Sequence, residues 1–338
     1  MRPGDRSRTR RDEERAVEAA EHWFVRHGLP YFVDAEREAA RRGMRPARLL
    51  VVVAVAVVVG VAAGLLVGLF VDASFGVGTA ILATGAVVAV YAATTLRMTA
   101  MARWAVARTF KSLGLLFPLV TRALPLLLVF VMFLFINAEV WEVGAALDGG
   151  VLWVTVMLFV GLAVAFLLAR LPEELDAVDD EVEAGRLLAL TRGTPLHQAA
   201  VRLVEEADER YRLAEDASVK GFQKANLVVV LLVAQIVQVL LLSLSVLLFF
   251  IAFGAVAMRH EVVGGWIGGQ RLHEWGIGYL STELVQVSVF LAAFSGMYFT
   301  VAAITDDVYR KQFFTSITRE LERAVAARSV YHALKRGL

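Results

Sequence analysis

Apolar residues in this chain gather into long uninterrupted runs. They do not recur in the three- or four-residue rhythm of a helix with one wet face. Residues 49–70, 75–96, 151–169, 227–258 and 284–305 contain no Asp, Glu, Lys, Arg or His. A shorter run covers 123–137. A helix needs about 20 mostly apolar residues to cross a hydrocarbon layer of ~30 Å. Backbone amides and carbonyls have no water to turn to in that layer, so these runs are expected as helices. The pattern predicts an all-α, polytopic transmembrane bundle of about six spans with helical extensions outside the membrane.

The third span is the least regular. Apolar sequence begins at Leu113, but Arg122 interrupts it between Pro118 and Pro125. Proline lacks an amide donor and tends to start or break helices. Residues 113–121 are therefore expected at the interface, with Pro125 in the first turn of the span; a re-entrant segment is the alternative.

Polar sequence divides the rest. An arm, 1–48, is expected as helix broken at His27-Gly28-Leu29-Pro30, with Trp23, Phe24, Tyr31 and Phe32 as apolar islands. Such an arm either lies on the membrane surface or packs against the ends of the bundle, and its mixed charge favours packing. Spans one to four fill 49–169. A helical segment follows at 170–226, with an acidic stretch from Glu173 to Glu183 and a helix start at Thr194-Pro195 that can run on into span five. Spans five and six fill 227–305. The tail, 306–338, reads as one amphipathic helix with Phe314, Ile317, Leu321 and Ala324 on one face.

Charge adds a direction. The chain holds 34 Lys and Arg, 29 of them Arg, and 32 fall on one side of a six-span arrangement. Only Arg259 and Arg271 fall on the other. By the positive-inside rule both termini are cytoplasmic. Trp104 then sits at the inner interface, and Trp141, Trp153, Trp266 and Trp275 sit at or near the outer one. The 48 residues before the first apolar run do not have the pattern of a secretory signal. Arg-rich, Ala-, Val- and Gly-rich composition points to a GC-rich bacterium, and so to its plasma membrane.

Within the spans two kinds of position stand out. Ala56, Gly60, Gly64 and Gly68 recur every four residues in span one, a smooth groove that lets another backbone approach. Span two offers Gly85, Ala89 and Ala93, and a short link joins the two, so a tight antiparallel hairpin is expected. Polar residues form seams in the last two spans: Gln235, Gln238 and Ser245 in span five, and Ser281, Ser288 and Ser295 with Tyr298 in span six. Hydrogen bonding between the two helices is the plainer role for them, and a polar pore wall the functional one.

Other chemistry is excluded or weak. The chain has no Cys, which removes disulfides and thiolate metal sites. There is no ionisable residue near the centre of any span, against proton coupling or voltage sensing. No phosphate-binding Gly-Lys loop and no hydrolytic triad context is present, so no enzyme activity and no cofactor are expected. The basic residues already have a topological reason, so nucleic acid is not an expected partner. The outer loop at 259–282 carries His260-Glu261 and His273-Glu274, at a spacing that matches no short zinc motif. Two functions stay open. A passive pore, assembled as a homo-oligomer in lipid, ranks first; a membrane-embedded scaffold, accessory subunit or sensor that binds a cytoplasmic protein through 170–226 or 306–338 ranks second. A lipid-modifying enzyme has the least support.

Overall fold

The computed structural model describes residues 3–71, 73–147, 150–180, 184–205, 219–269, 271–305 and 307–337. Side chains at 3–10, 74, 111–128, 172–186, 205, 304–320 and 337 are outside that description. The described chain is almost wholly helical, with one isolated antiparallel bridge between Glu274 and Ser281. In order the helices are α1 (Pro3–Arg26), α2 (Asp34–Gly43), α3 (Pro46–Phe70), α4 (Ala73–Thr95), α5 (Met98–Phe135), α6 (Ala138–Ala145) and α7 (Gly150–Asp180). Then come α8 (Ala184–Thr191), α9 (His197–Glu205), α10 (Phe222–Ala257), α11 (His260–Trp266), α12 (Thr282–Thr305) and α13 (Asp307–Gly337).

Five of these, α3, α4, α7, α10 and α12, are long and apolar enough to span a membrane. Their surfaces support the same placement. Leu50, Val51, Val58, Leu65, Leu69 and Phe70 of α3 are all exposed. A soluble protein rarely exposes so continuous an apolar face. The chain is therefore membrane-embedded. The shorter run, 123–137, lies partly among residues whose side chains are outside the description.

Around that run the structure departs from expectation. The backbone of α5 is one helix of 38 residues, about 57 Å long at 1.5 Å per residue. It passes through 113–121 and through both prolines, so Pro125 is interior to the helix rather than in its first turn. An internal proline forfeits one backbone hydrogen bond. In membrane helices, neighbouring groups re-satisfy the freed carbonyl, so a helix can continue there. A second departure concerns 170–226. The helix expected from Thr194-Pro195 starts at His197, and α10 is preceded by non-helical residues ending at Gly221, whose φ of +61° suits glycine. Residues 206–218, and the side chains of the acidic stretch, lie outside the described residues.

The spanning helices fall into two groups. Of the most apolar 18-residue stretch, 50% is buried in α12 and 44% in α10, against 17% in α3 and 6% in α4. The centre is thus α10 and α12, flanked by α5 and α7, while α3 and α4 form a hairpin at the periphery. Stacked aromatics fill the centre: Phe135 lies 4.5 Å from Phe250, and Phe159 of α7 packs on Phe290 and Phe294 of α12.

The hairpin rests on close backbone approach. A Cβ placed on Gly60 would come 2.0 Å from Thr84 Oγ1 and 2.7 Å from the Ala80 carbonyl oxygen. One on Gly64 would come 2.7 Å from the Gly76 carbonyl oxygen, while Gly68 has only ordinary contacts, the nearest 3.8 Å away at Gly76 Cα. Ala56 is buried on the same line. The answering face of α4 is Gly76, Ala80 and Thr84, not the expected one. Gly85 and Ala89 are exposed, nothing lies within 4 Å of a Cβ on Gly85, and Ala93 is only half-buried.

At the end of the bundle that carries both termini, the arm docks onto its own chain. Trp23, Phe24, Tyr31 and Phe32 are buried with Tyr331 of α13. Asn226 of α10 is fully buried; its amide donates to the Gly28 carbonyl (2.8 Å) and accepts from the Tyr31 amide (3.0 Å). Gly28 has φ +74° and packs directly on Trp104 of α5. Tyr31 donates to the Leu96 carbonyl (2.7 Å), which would otherwise end α4 unpaired. The tail helix adds Tyr331 to Glu21 (2.6 Å), Lys335 to Asp34 (2.7 Å) and Arg328 to Gln223 (2.8 Å). Leu321 and Ala324 are buried as the tail pattern predicts; Phe314 and Ile317 lie outside the described side chains.

Burial works to raise the Asp34 carboxyl, but the hydrogen bond and charge of Lys335, with Arg37 and His332, outweigh it and hold its pKa below the ordinary 3.8. Lys335 is displaced upward from 10.5: burial opposes this, but hydrogen bonds to Asp34 and Tyr331 prevail. A lowered acid stabilises docking above its ordinary value and loses that contribution as pH falls through the lowered one. A raised base stabilises below its ordinary value and loses it as pH climbs through the raised one. Docking is therefore strongest across the neutral range.

Two outcomes are expected. Gly60→Ala should lower the thermal midpoint in detergent by the equivalent of about 1–3 kcal/mol, the scale of overpacking, while Gly85→Ala should stay within about 0.5 kcal/mol. The chain is cysteine-free, so Ala40→Cys, buried in α2, reports arm docking through its reaction with a dithiopyridine reagent. Lys335→Met should speed that reaction about two- to five-fold at neutral pH, as fits a half-exposed ion pair, and in acid the difference should vanish.

Candidate functional site

The contact between α10 and α12 sets the register of the seam residues. A Cβ on Gly254 would meet Leu284, and one on Gly296 would meet Ser243 and Val239, so the helices run antiparallel. Ser288 then lies level with about Phe250 and Gln238 with about Thr300, a separation of about 18 Å along the bundle. The two seams do not meet. Gln235, Gln238, Ser288 and Ser295 are all at least 95% buried inside this one chain. Ser295 returns its hydroxyl to the Leu291 carbonyl (2.6 Å). Both amide atoms of Gln235, both of Gln238 and the hydroxyl of Ser288 have no hydrogen-bond partner among the described residues. The expected hydrogen bonding between helices is absent at these positions.

The remaining seam residues have other places. Ser281 is buried and accepts from the Leu284 amide (3.2 Å), capping the start of α12 instead of joining a face within it. Ser245 is exposed and bonds the Leu241 carbonyl of its own helix. Tyr298 is 43% exposed and its ring stacks on Phe130 of α5 at 5.2 Å. Only Ser245 and Tyr298 of the seven seam residues face outward.

The outer loop pairs its ionisable groups across sequence. His260 Nδ1 is 2.9 Å from Glu274, and His273 Nδ1 is 2.8 Å from Glu283. Glu283 also accepts from the His273 backbone amide at 3.2 Å. The first pair ties the loop to the start of α11 and the second ties it to the start of α12. Among the described residues, no three His, Asp or Glu side chains converge as a metal site would need. Gly268, Gly269, Gly276 and Gly278 take positive φ in the turns.

One feature was not visible in sequence. A cleft of about 290 Å³ lies between α7, α10 and α12. Its walls include Phe159, Ala163, Leu167, Leu240, Ala293 and Gly296, and its few polar side chains are Trp153, Ser243 and Thr300. The Thr300 hydroxyl is already committed to the Gly296 carbonyl (2.8 Å). Small residues on three separate helices make the space, and no single-helix pattern encodes such a meeting.

No family model, no curated protein and no solved structure matches the chain. The geometry alone carries the functional argument.

Proposed function

We propose that the chain is a bacterial plasma-membrane protein that crosses the bilayer six times, with both termini cytoplasmic, and lets a small polar solute or ion pass without energy coupling. The path is placed inside one chain, along α10 and α12 beside α5, and not along an axis shared by copies.

The observation that supports this is the set of buried, unpaired groups on Gln235, Gln238 and Ser288. An unpaired amide in hydrocarbon costs several kcal/mol, so polar groups at that depth either find protein partners or line a cavity that holds water. From Ser288 to Gln235 these positions also span about 22 Å of a ~30 Å layer, which suits a hydrated route more than a single local contact. Burial of the same residues counts against a wall formed around an oligomer axis. Homo-oligomers fit this reading but are not needed for it.

A scaffold or accessory subunit is the second reading, favoured by the exposed charged face of α1, where Arg11, Asp12, Glu14 and Arg15 face solvent. The tail is the weaker docking surface, because residues 321–334 bury most of their apolar side chains within this chain. A stable partner captured from native membranes through α1 would favour this reading.

The test is flux into proteoliposomes, by light scattering for water and neutral solutes and by current for ions. The double variant Gln235→Leu, Gln238→Leu should cut flux by about ten-fold or more, since each lost hydrogen-bonding site is worth roughly 1 kcal/mol to a passing solute. Its thermal midpoint should not fall, because two unpaired amides are replaced by apolar groups. Vesicles no leakier than protein-free ones to every solute tried would end the pore reading.

A further inference from the structure

The cleft between α7, α10 and α12 has no role in a polar path, and its geometry calls for a different occupant. We infer that it holds one acyl chain of an anionic phospholipid from the cytoplasmic leaflet, with the phosphate at Arg170; the leaflet rests on the orientation proposed above.

Four observations converge on this occupant. The lining carries no charge, and its Thr300 hydroxyl is already bonded within its own helix. A non-helical protein segment laid there would bring backbone amides and carbonyls with nothing to bond, whereas a hydrocarbon chain brings none. The cleft is long and narrow. It runs from Trp153 to Leu167 on α7, about 21 Å at 1.5 Å per residue, and from Val289 to Thr300 on α12, about 17 Å. That exceeds one leaflet of a ~30 Å hydrocarbon layer, and it fits a single extended chain better than a compact apolar solute. Its lining helices are three of the five apolar spans, so hydrocarbon is the surrounding medium.

The fourth observation is charge. Arg170 follows Leu167 by three residues, on the same face of α7, at the end of the cleft nearer the chain termini. The opposite end is closed by Trp153, an interfacial residue type. Among the described side chains of α7, Arg170 is the one that carries charge. The cationic end matches a phosphate headgroup, which selects an anionic lipid over a zwitterionic one.

The polar positions and the cleft use different faces of α10. Gln238 is one residue, or about 100°, away from Val239, which lines the cleft. Substitutions can therefore probe one without touching the other.

The experiment uses the full chain in nanodiscs with phosphatidylglycerol carrying a diazirine on one acyl chain. Photolysis and mass spectrometry then map the adducts. Label should concentrate on 153–167, 236–247 and 289–300. Ala293→Phe and, separately, Val164→Phe should reduce it about ten-fold, as fits roughly two methylene groups excluded from contact. Leu158→Phe, an exposed position outside the lining, should leave labelling unchanged. Arg170→Gln should remove the preference for phosphatidylglycerol over phosphatidylcholine while the adduct positions stay the same. Each variant is first matched to the parent in elution profile and thermal midpoint. Adducts spread evenly over exposed residues such as Leu158 and Leu168, or unaffected by either filling variant, would overturn the site in favour of ordinary annular lipid. Cross-links between copies at the cleft residues would overturn it in favour of self-association. A chain that conducts nothing but labels as described loses the pore and keeps the lipid site.

Discussion

A backbone amide inside hydrocarbon has one source of partners, its own helix, and the architecture follows from that constraint. Each helix can end only where something outside the hydrocarbon takes over its unpaired groups. Asn137 accepts from the Glu139 and Val140 amides and so starts α6 just as α5 ends. Trp141 donates its indole N–H to the Phe135 carbonyl (2.5 Å), covering an unpaired acceptor at that same junction. Ser281 does the corresponding work at the start of α12, and Tyr31 reaches from the arm to the end of α4. These caps sit at the ends of α4, α5 and α12, where polar side chains take over backbone groups that the helices leave unpaired.

With the backbone satisfied, packing decides the arrangement, and two modes operate. The α3–α4 hairpin brings backbone against backbone at Gly60 and Gly64, where even one methyl group has no room. Dispersion over that close contact supplies its cohesion, since apolar side chains gain little by leaving lipid. The centre is packed by large side chains, with Phe135, Phe250 and Phe159 meeting across α5, α10, α7 and α12. One pair mixes the modes. Gly296 faces Ser243 so closely that a larger side chain would not fit between α10 and α12 at that level. The cleft opens beside this pinch, with α7 as its third wall.

Much of the fold was legible because hydrocarbon imposes a simple rule on sequence. Charge-free runs marked α3, α4, α7, α10 and α12, and the break at Gly28-Leu29-Pro30 marked the turn between α1 and α2. What sequence did not convey was register. Four-residue spacing picked Gly60 and Gly64 correctly as a contact face, yet in α4 the same spacing is offered by Gly76, Ala80, Thr84 and by Gly85, Ala89, Ala93. Only the meeting of the two helices distinguishes them. The seven-residue spacing of Ser281, Ser288 and Ser295 misled for a related reason: Ser281 precedes the helix and caps it. In span five, Leu242 and Val246 continue the buried line from Gln238, and Ser245 falls outside it. The His–Glu contacts of the outer loop join residues 10 and 14 positions apart, a pairing that the local sequence does not display.

The unpaired groups are the least expected part of the centre and the most informative. Interior glutamines are costly unless something bonds them, and α10 has ample apolar alternatives at neighbouring positions. Gln223 and Asn226, about three and two and a half turns before Gln235 on the same helix, are engaged by Arg328, Gly28 and Tyr31. Polar residues near the end of α10 thus act as fasteners for the terminal layer. Gln235 and Gln238 lie beyond the reach of that layer and fasten nothing among the described residues. Stability of the docked arm accounts for the first pair and not for the second. A hydrated interior does account for the second, because water supplies the missing donors and acceptors that no neighbouring helix offers. On the proposed pore reading, the same helix changes from a structural anchor to a wettable wall within about three turns, while a neighbouring face lines the apolar cleft.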